Sequence, residues 1–444
     1  MRVPRFMSGF GTEMNYLFFE KGNEEAKGRR CMMLQSIMCN ISAWITGGTF
    51  YTGFLLGNDI EMTDIGIITA LPYLASLLTL FTPAILGRFK KRRVILAVTR
   101  ILYFFVNIIG LTVMPMLVHD KTAKLIWFGI IVFVGNAINF LFVSGYTDWH
   151  LNFLTDNVRA AFFSVQQFTN NLMGCGVAVL AGIAADALAG TPHQMTIIIW
   201  LRYIGFIFAL LDVFFLCLPK EYPYPTTQKV KLTNVVTLPL KNKKFTATVL
   251  IYCLYVITAN LPSGVLSAYL LSTVGATYLQ INLINVCYAV IVLLLSGFWQ
   301  KLIRRVGWLN VFSFTCLLMT PTYIMYMFLN PGNVLWLYTL LRILQHFIGV
   351  GQNVTAANLN YLNMPVEDRS NFTAFSSLIA NLSVWISITI GTWFVDMVDD
   401  FKLVLGAFSF DSVQLLLGVV TICSFLTFII AKAAAPKLEP KFED

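Results

Sequence analysis

Long apolar runs alternate with short polar interruptions along the whole chain. A helix that crosses the hydrocarbon core of a bilayer needs about 20 mostly apolar residues, each rising about 1.5 Å. On that measure the pattern predicts helices 1 to 6 at 33–56, 64–86, 94–118, 124–146, 160–188 and 195–218. Helices 7 to 12 follow at 246–272, 279–300, 308–329, 334–356, 370–398 and 409–433. Between the two sets lies a polar stretch with Lys220, Lys229, Lys231, Lys241, Lys243 and Lys244. The predicted organisation is a cytoplasmic tail (1–32), a six-helix bundle (33–218), a basic cytoplasmic linker (219–245), a second six-helix bundle (246–433) and a short cytoplasmic tail (434–444). The fold class predicted is an all-α polytopic membrane protein, with 12 transmembrane helices in two pseudo-symmetric six-helix bundles.

The two sets read as a duplication. Shifted by 210 residues, Arg159 and Phe162 fall on Arg369 and Phe372, Asn171-Leu172 on Asn381-Leu382, Asp186 on Asp396, and Gly87 on Gly297. Several matches in one register at corresponding helix ends argue for a six-plus-six repeat, as in transporters built from internal repeats.

Composition agrees with the pattern. Hydrophobic residues make up 57% of the 444 and charged ones 12%, about half the usual charged share of a soluble domain. Mean hydropathy is +0.72. The net charge of +9 sits mainly in short loops between apolar runs, which is a positive-inside bias and not a nucleic-acid footprint. With the N-terminus inside, the inner loops hold Arg88, Lys90, Lys91, Arg92, Arg93, the six linker lysines, Lys301, Arg304 and Arg305. The outer loops hold only Lys121, Lys124 and Lys402 beside several acids. Both termini are therefore predicted to be cytoplasmic, in a cell-membrane protein without a cleaved signal peptide. The eight cysteines are scattered singly and the four histidines lie far apart, so no metal or other cofactor is expected.

Twelve spans in two halves with a basic middle loop resemble the major facilitator superfamily over residues 33 to 433. The loop between helices 2 and 3 carries its most specific mark, Pro83-Ala-Ile-Leu-Gly87-Arg88-Phe-Lys90-Lys91-Arg92-Arg93. The family's pattern there is Gly-x-Leu-Ala-Asp-Arg-x-Gly-Arg-Arg. Here Gly87 stands in place of the aspartate and Lys90 in place of the second glycine. The inner loops before helices 5 and 11 carry acid-then-arginine pairs, Asp156 with Arg159 and Asp368 with Arg369. The resemblance assigns Gly87, Arg88, Arg92, Arg93 and these four residues to gating. Helix 5 lacks the Gly-Pro-x-x-Gly-Gly pattern of the family's proton-coupled drug exporters, and sugar-porter signatures are missing, so the subfamily stays open.

Polar groups in the hydrocarbon region are costly, by about 2.5–3.5 kcal/mol for a charge on insertion scales, which makes each one a functional candidate. Arg342, Gln345, His346 and Asn353 fall on one face of helix 10, about 12 and 18 Å deep for Arg342 and His346. The resemblance implies a cavity lined by helices 1, 4, 7 and 10, which adds Asn40 and Tyr51, Asn136 and Asn139, and Tyr255 and Asn260. Pro262 frees a carbonyl of helix 7 to face a ligand. The plainer reading of the asparagines is interhelical hydrogen bonding. Arg100 can snorkel, an Arg100–Asp212 pair has no support in spacing, and Asp148, Trp149 and His150 are explained by a solvated loop mouth.

No acid lies at mid-depth on helices 1, 4, 7 or 10. The expected function is alternating-access transport of an anionic or neutral polar solute, with Arg342 as fixed charge and His346 as the titratable, proton-coupling group. The expected partners are the solute and the lipid bilayer, with proton coupling left open against facilitated diffusion, and the expected state is a monomer. A drug/proton antiporter of the same superfamily, a membrane-embedded transferase and a receptor without flux are the alternatives. A transferase needs catalytic groups gathered at one depth, and His150 and His346 lie in different halves.

Overall fold

The computed structural model describes residues 15–20, 23–191, 193–223, 232–359, 361–365, 369–405 and 408–439. Backbone that crosses lipid finds no hydrogen-bond partners outside itself, so apolar runs of this length fold as helices. Among the described residues eleven helices are long and apolar enough to cross a membrane. They are α2 (Met62–Leu86), α3 (Arg93–Leu117), α4 (Lys121–Leu151), α5 (Asp156–Asp186), α6 (His193–Cys217), α7 (Lys243–Val274), α8 (Tyr278–Val306), α9 (Trp308–Tyr326), α10 (Val334–Leu359), α11 (Arg369–Met397) and α12 (Ser412–Leu438). They coincide with the predicted ranges of helices 2 to 12 to within a few residues.

The first predicted helix is present but broken. α1 runs Glu24–Thr46 and resumes as Gly48–Leu56. The break falls at Gly48, whose φ of +52° suits a residue without a Cβ. It starts well before the predicted 33 because the Asn23 side chain caps the N–H groups of Glu25 and Ala26 (2.9 and 3.1 Å). The predicted tail also contributes a helical turn, Asn15–Phe19, with Leu17 and Phe18 buried. Buried Arg29 holds this turn, donating to the Leu17 carbonyl (2.8 Å) and the Phe153 carbonyl (3.1 Å).

The chain divides into two compact units, residues 1–50 with 78–230 and residues 51–77 with 231–444. In the first, α1 packs on α6 and α5, and α3 on α4, around Met32, Leu96, Phe104, Trp149, Phe153 and Phe162. In the second, α9 packs on α12 and α10, α8 on α10, and α7 on α11. The first part of α2 belongs to this second unit and packs on α11 and α7. Gly66 and Gly264 allow that approach, because a Cβ on Gly264 would come within 2.7 Å of Ile388 and 2.9 Å of Gly66. At Pro262 the helix breaks as expected, but the carbonyl of Leu261 lies against Gly391 of α11 with no room for a Cβ. Ser387 donates to the Ile257 carbonyl there (2.5 Å). Protein covers that stretch of backbone instead of a ligand.

Three other features depart from expectation. The basic stretch after α6 contains a short helix, Leu232–Lys241, that packs on α11 and buries Val235. A two-stranded antiparallel hairpin, β1 (Leu403–Leu405) and β2 (Phe408–Phe410), joins α11 to α12. α4 runs five residues past its predicted end, which draws Asp148, Trp149 and His150 into the helix. Trp149 is buried and His150 Nε2 is 2.9 Å from Gln35 Oε1, so these two are not a solvated loop mouth, while Asp148 pairs with Arg92 and stays exposed.

The two units carry a similar cap. Glu221, just past α6, accepts the backbone N–H groups of Arg92 (2.7 Å) and Arg93 (2.9 Å) at the start of α3. Glu439, just past α12, accepts those of Trp308 (2.5 Å) and Leu309 (2.8 Å) at the start of α9. In each unit a carboxylate answers the unsatisfied donors and positive dipole of a helix N-terminus.

Candidate functional site

In the second unit α10 carries the polar stripe, and its neighbours complete it. Arg342, half-buried, donates from Nη1 to Gln345 Oε1 (3.2 Å) and from Nη2 to Asn285 Oδ1 of α8 (3.4 Å). The phenols of Tyr326 and Tyr338 also reach it as hydrogen-bond partners. Gln345 is buried and donates to Thr322 Oγ1 of α9 (3.1 Å). One turn along, the His346 ring packs 5.1 Å from that of Tyr288 on α8, and its Nε2 is buried with no hydrogen-bond partner among the described residues. Asn353 donates to the Tyr288 hydroxyl (2.7 Å). The four α10 residues thus form one connected polar surface with Asn285, Tyr288 and Thr322. Among the described residues no carboxylate pairs with Arg342.

Among the described residues the other candidates make contacts of their own. Asn260 turns back on its own helix, donating to the Val256 carbonyl (2.8 Å). Tyr255 stacks edge-on against Phe312 of α9, 5.4 Å between centroids. Tyr51, partly buried, lies in the same unit. In the first unit, Asn136 donates to Asn107 Oδ1 of α3 (3.2 Å) and to the Val132 carbonyl (2.8 Å), which is the interhelical bonding of the plainer reading. Asn139 is half-buried. Asn40 lies against Gly174 of α5, its Oδ1 buried without a partner among the described residues.

The first unit holds a charged cluster that spacing does not reveal. Arg100 of α3 donates to both oxygens of Asp212 on α6 (2.5 and 3.3 Å), so the pair exists. Arg100 does not snorkel. A second buried arginine, Arg202, reaches Thr112 Oγ1 (2.7 Å) and the carbonyls of Thr46 (3.3 Å) and Asn107 (2.9 Å). These are the backbone groups freed where α1 breaks and where α3 makes a π turn over Phe105–Gly110.

At the loop between α2 and α3, Arg92 is buried and pairs with Asp148 of α4 (2.9 Å), while Arg93 reaches the Cys217 carbonyl (3.0 Å) and Glu221 (3.6 Å). Arg88 is exposed and Gly87 half-buried. Arg159 is exposed and reaches the Leu154 carbonyl (3.4 Å), and Arg369 is exposed. Asp368 and the side chain of Asp156 lie outside the described residues.

Residues 248–444 match the family model of the Major Facilitator Superfamily. Solved structures of transporters share the fold across nearly the whole chain. A bacterial homologue of iron transporter ferroportin, in its inward-facing state, aligns with a TM-score of 0.68 at 15% identity, covering 92% of this chain and 98% of that one. A D-xylose-proton symporter aligns with a TM-score of 0.66 at 14% identity, covering 93% and 98%. The nucleoside transporter NupG aligns with a TM-score of 0.62 at 13% identity, covering 93% and 98%. No curated protein sequence matches. These neighbours show that the chain has the fold of those transporters, and the family match over residues 248–444 agrees with it.

Set beside the superfamily's loop pattern, the departure at Gly87 has a local answer. The acid that Arg92 meets comes from α4, as Asp148, rather than from the loop. Asn285, Tyr288 and Thr322 lie on α8 and α9, outside the helices 1, 4, 7 and 10 to which the resemblance confines the cavity. The available signal was the three-residue spacing of Asn285 and Tyr288, which puts two polar side chains on one face of α8.

Proposed function

We propose that this chain is an alternating-access transporter of a small anionic or neutral polar solute. It would sit in the cell membrane, with 12 transmembrane helices in two six-helix bundles and both termini cytoplasmic. The excess of lysine and arginine in alternate loops supports the orientation. The solute class rests on one observation: every partner of Arg342 is neutral. A guanidinium within the apolar span, held by long bonds to two amides and by phenols, keeps donors for a planar acid group. His346 Nε2 and Asn353 then meet other polar atoms of the solute along the same face, as polar groups fix orientation in most small-molecule sites.

A cationic drug would need an acid on this surface, and among the described residues it has none. The test is uptake into proteoliposomes of labelled organic anions, sugars, amino acids and cationic drugs. An anion or neutral polar solute should be taken up by the wild type and lost in Arg342→Ala. Uptake unchanged in Arg342→Ala, or confined to cationic drugs, contradicts the assignment.

A further inference from the structure

The charged cluster of the first unit is not used by the solute site, and its wiring points to a second role. Asp212 is fully buried, at 0% exposure. Arg100 holds both of its oxygens, and Gln35 of α1 donates to it as well. The Gln35 carbonyl oxygen is in turn 2.9 Å from His150 Nε2 on α4. On its far side Arg100 donates to Cys39 Sγ of α1 (3.1 Å) and lies 4.7 Å from the Tyr146 ring and 5.3 Å from the Phe104 ring. Among the described residues, the titratable and charged groups around the pair are Cys39 of α1, Tyr103 of α3, and Tyr146 and His150 of α4.

From Arg93 to Arg100 is seven residues and from Asp212 to Cys217 is five. The pair therefore lies about 8–10 Å inside the helix ends.

A buried ion pair is a poor way to hold two helices, since apolar side chains of similar size do so at least as well. Ionisable groups retained inside a span mark ion pathways and proton relays. Here Gln35 bridges the carboxylate and a histidine. The guanidinium has aromatic faces that stabilise its charge when the carboxylate is neutral. We propose that Asp212 is a proton-binding site and that its protonation releases Arg100. The step balances simply: a proton from water forms an O–H bond on the Asp212 carboxyl, the ionic contact with Arg100 is given up, and the pocket's charge rises by one. That added charge favours a state in which Arg100 meets an anion or water, which ties proton occupancy to conformation. The coupling proton then resides on Asp212 rather than on His346, which is left to the solute.

The test is an infrared titration of the full chain reconstituted in lipid, following the carbonyl stretch of protonated carboxylic acids. The wild type and His346→Gln should show a buried-carboxyl band that grows as pH falls. Asp212→Glu should shift that band. Arg100→Gln/Asp212→Asn, which removes both buried charges and so keeps the fold, should lack it. The proposal is overturned if the wild type has no titrating buried carboxyl, or if the band survives in the double variant.

Discussion

Of the arginines inside the spans of this protein, Arg100 in the first unit and Arg342 in the second have opposite surroundings. Arg100 is clasped by a fully buried carboxylate at 2.5 Å. Arg342 touches amides at 3.2 and 3.4 Å, with phenols beside them. The first is a closed charge, balanced within its own unit. The second is an open charge, solvated by dipoles, with donors to spare. The same residue type at similar depth thus serves two purposes, and what separates them is whether an acid from another helix has been supplied.

The largest expected effect comes from breaking the closed pair on one side. Arg100→Gln alone leaves the fully buried Asp212 carboxylate without its counter-ion and should destabilise the protein by about 3–5 kcal/mol, seen as a large fall in thermal midpoint. Arg100→Gln/Asp212→Asn should recover most of that loss. An equal loss in the double variant would mean that packing, not charge, dominates the site.

The next effect sharpens the contrast by closing the open arginine. Gln345→Glu places a carboxylate where an amide oxygen already lies 3.2 Å from Arg342, and the Thr322 hydroxyl can donate to it in place of the lost amide. Thermal stability should hold or rise, and affinity for an anionic solute should fall by tenfold or more, about 1.4 kcal/mol. Unchanged anion affinity would mean that Arg342 is not the anion's partner. Arg342→Ala, by contrast, should cost the fold only about 1–2 kcal/mol, the worth of its hydrogen bonds to neutral groups.

The smallest effect concerns Glu439, beyond the end of α12. Burial pushes its carboxyl above the usual glutamate range, outweighing the backbone N–H bonds that stabilise its ionised form. A carboxyl raised in the folded state binds more protons there than when unfolded, so its contribution is fully present below the ordinary glutamate range. It is lost as pH rises through the raised folded value. Thermal midpoints measured across that window should fall slightly with pH, and Glu439→Gln should flatten the slope.

Much of this was legible in the sequence, and the limit is physical. Length and apolarity identify α2 to α12 because each satisfies its own backbone. The Arg342 stripe is legible because helical periodicity lies within one segment. Arg100 and Asp212 stand 112 residues apart, and nothing in either helix marks the other as its neighbour. Asn285, Tyr288 and Thr322 likewise sit on helices other than α10, and nothing in α10 marks them as its neighbours. The burial of Trp149 and His150 was misjudged because polar residues at a helix end read as solvated. Here α4 continues through them, and Gln35 of α1 covers His150. The break of α1 at Gly48 was open to view in its paired glycines, but the reach of Arg202 to the Thr46 carbonyl was not.

The most direct test of the central claim, that Arg342 is an open charge kept for a solute, is thermal stability of the purified protein against organic anions, sugars, amino acids and cationic drugs. A ligand that binds only the folded state raises the midpoint with concentration, by RT ln(1 + [L]/Kd). The account predicts that an organic anion raises the wild-type midpoint and leaves Arg342→Ala unmoved. A shift preserved in Arg342→Ala, or produced only by cationic drugs, would contradict it.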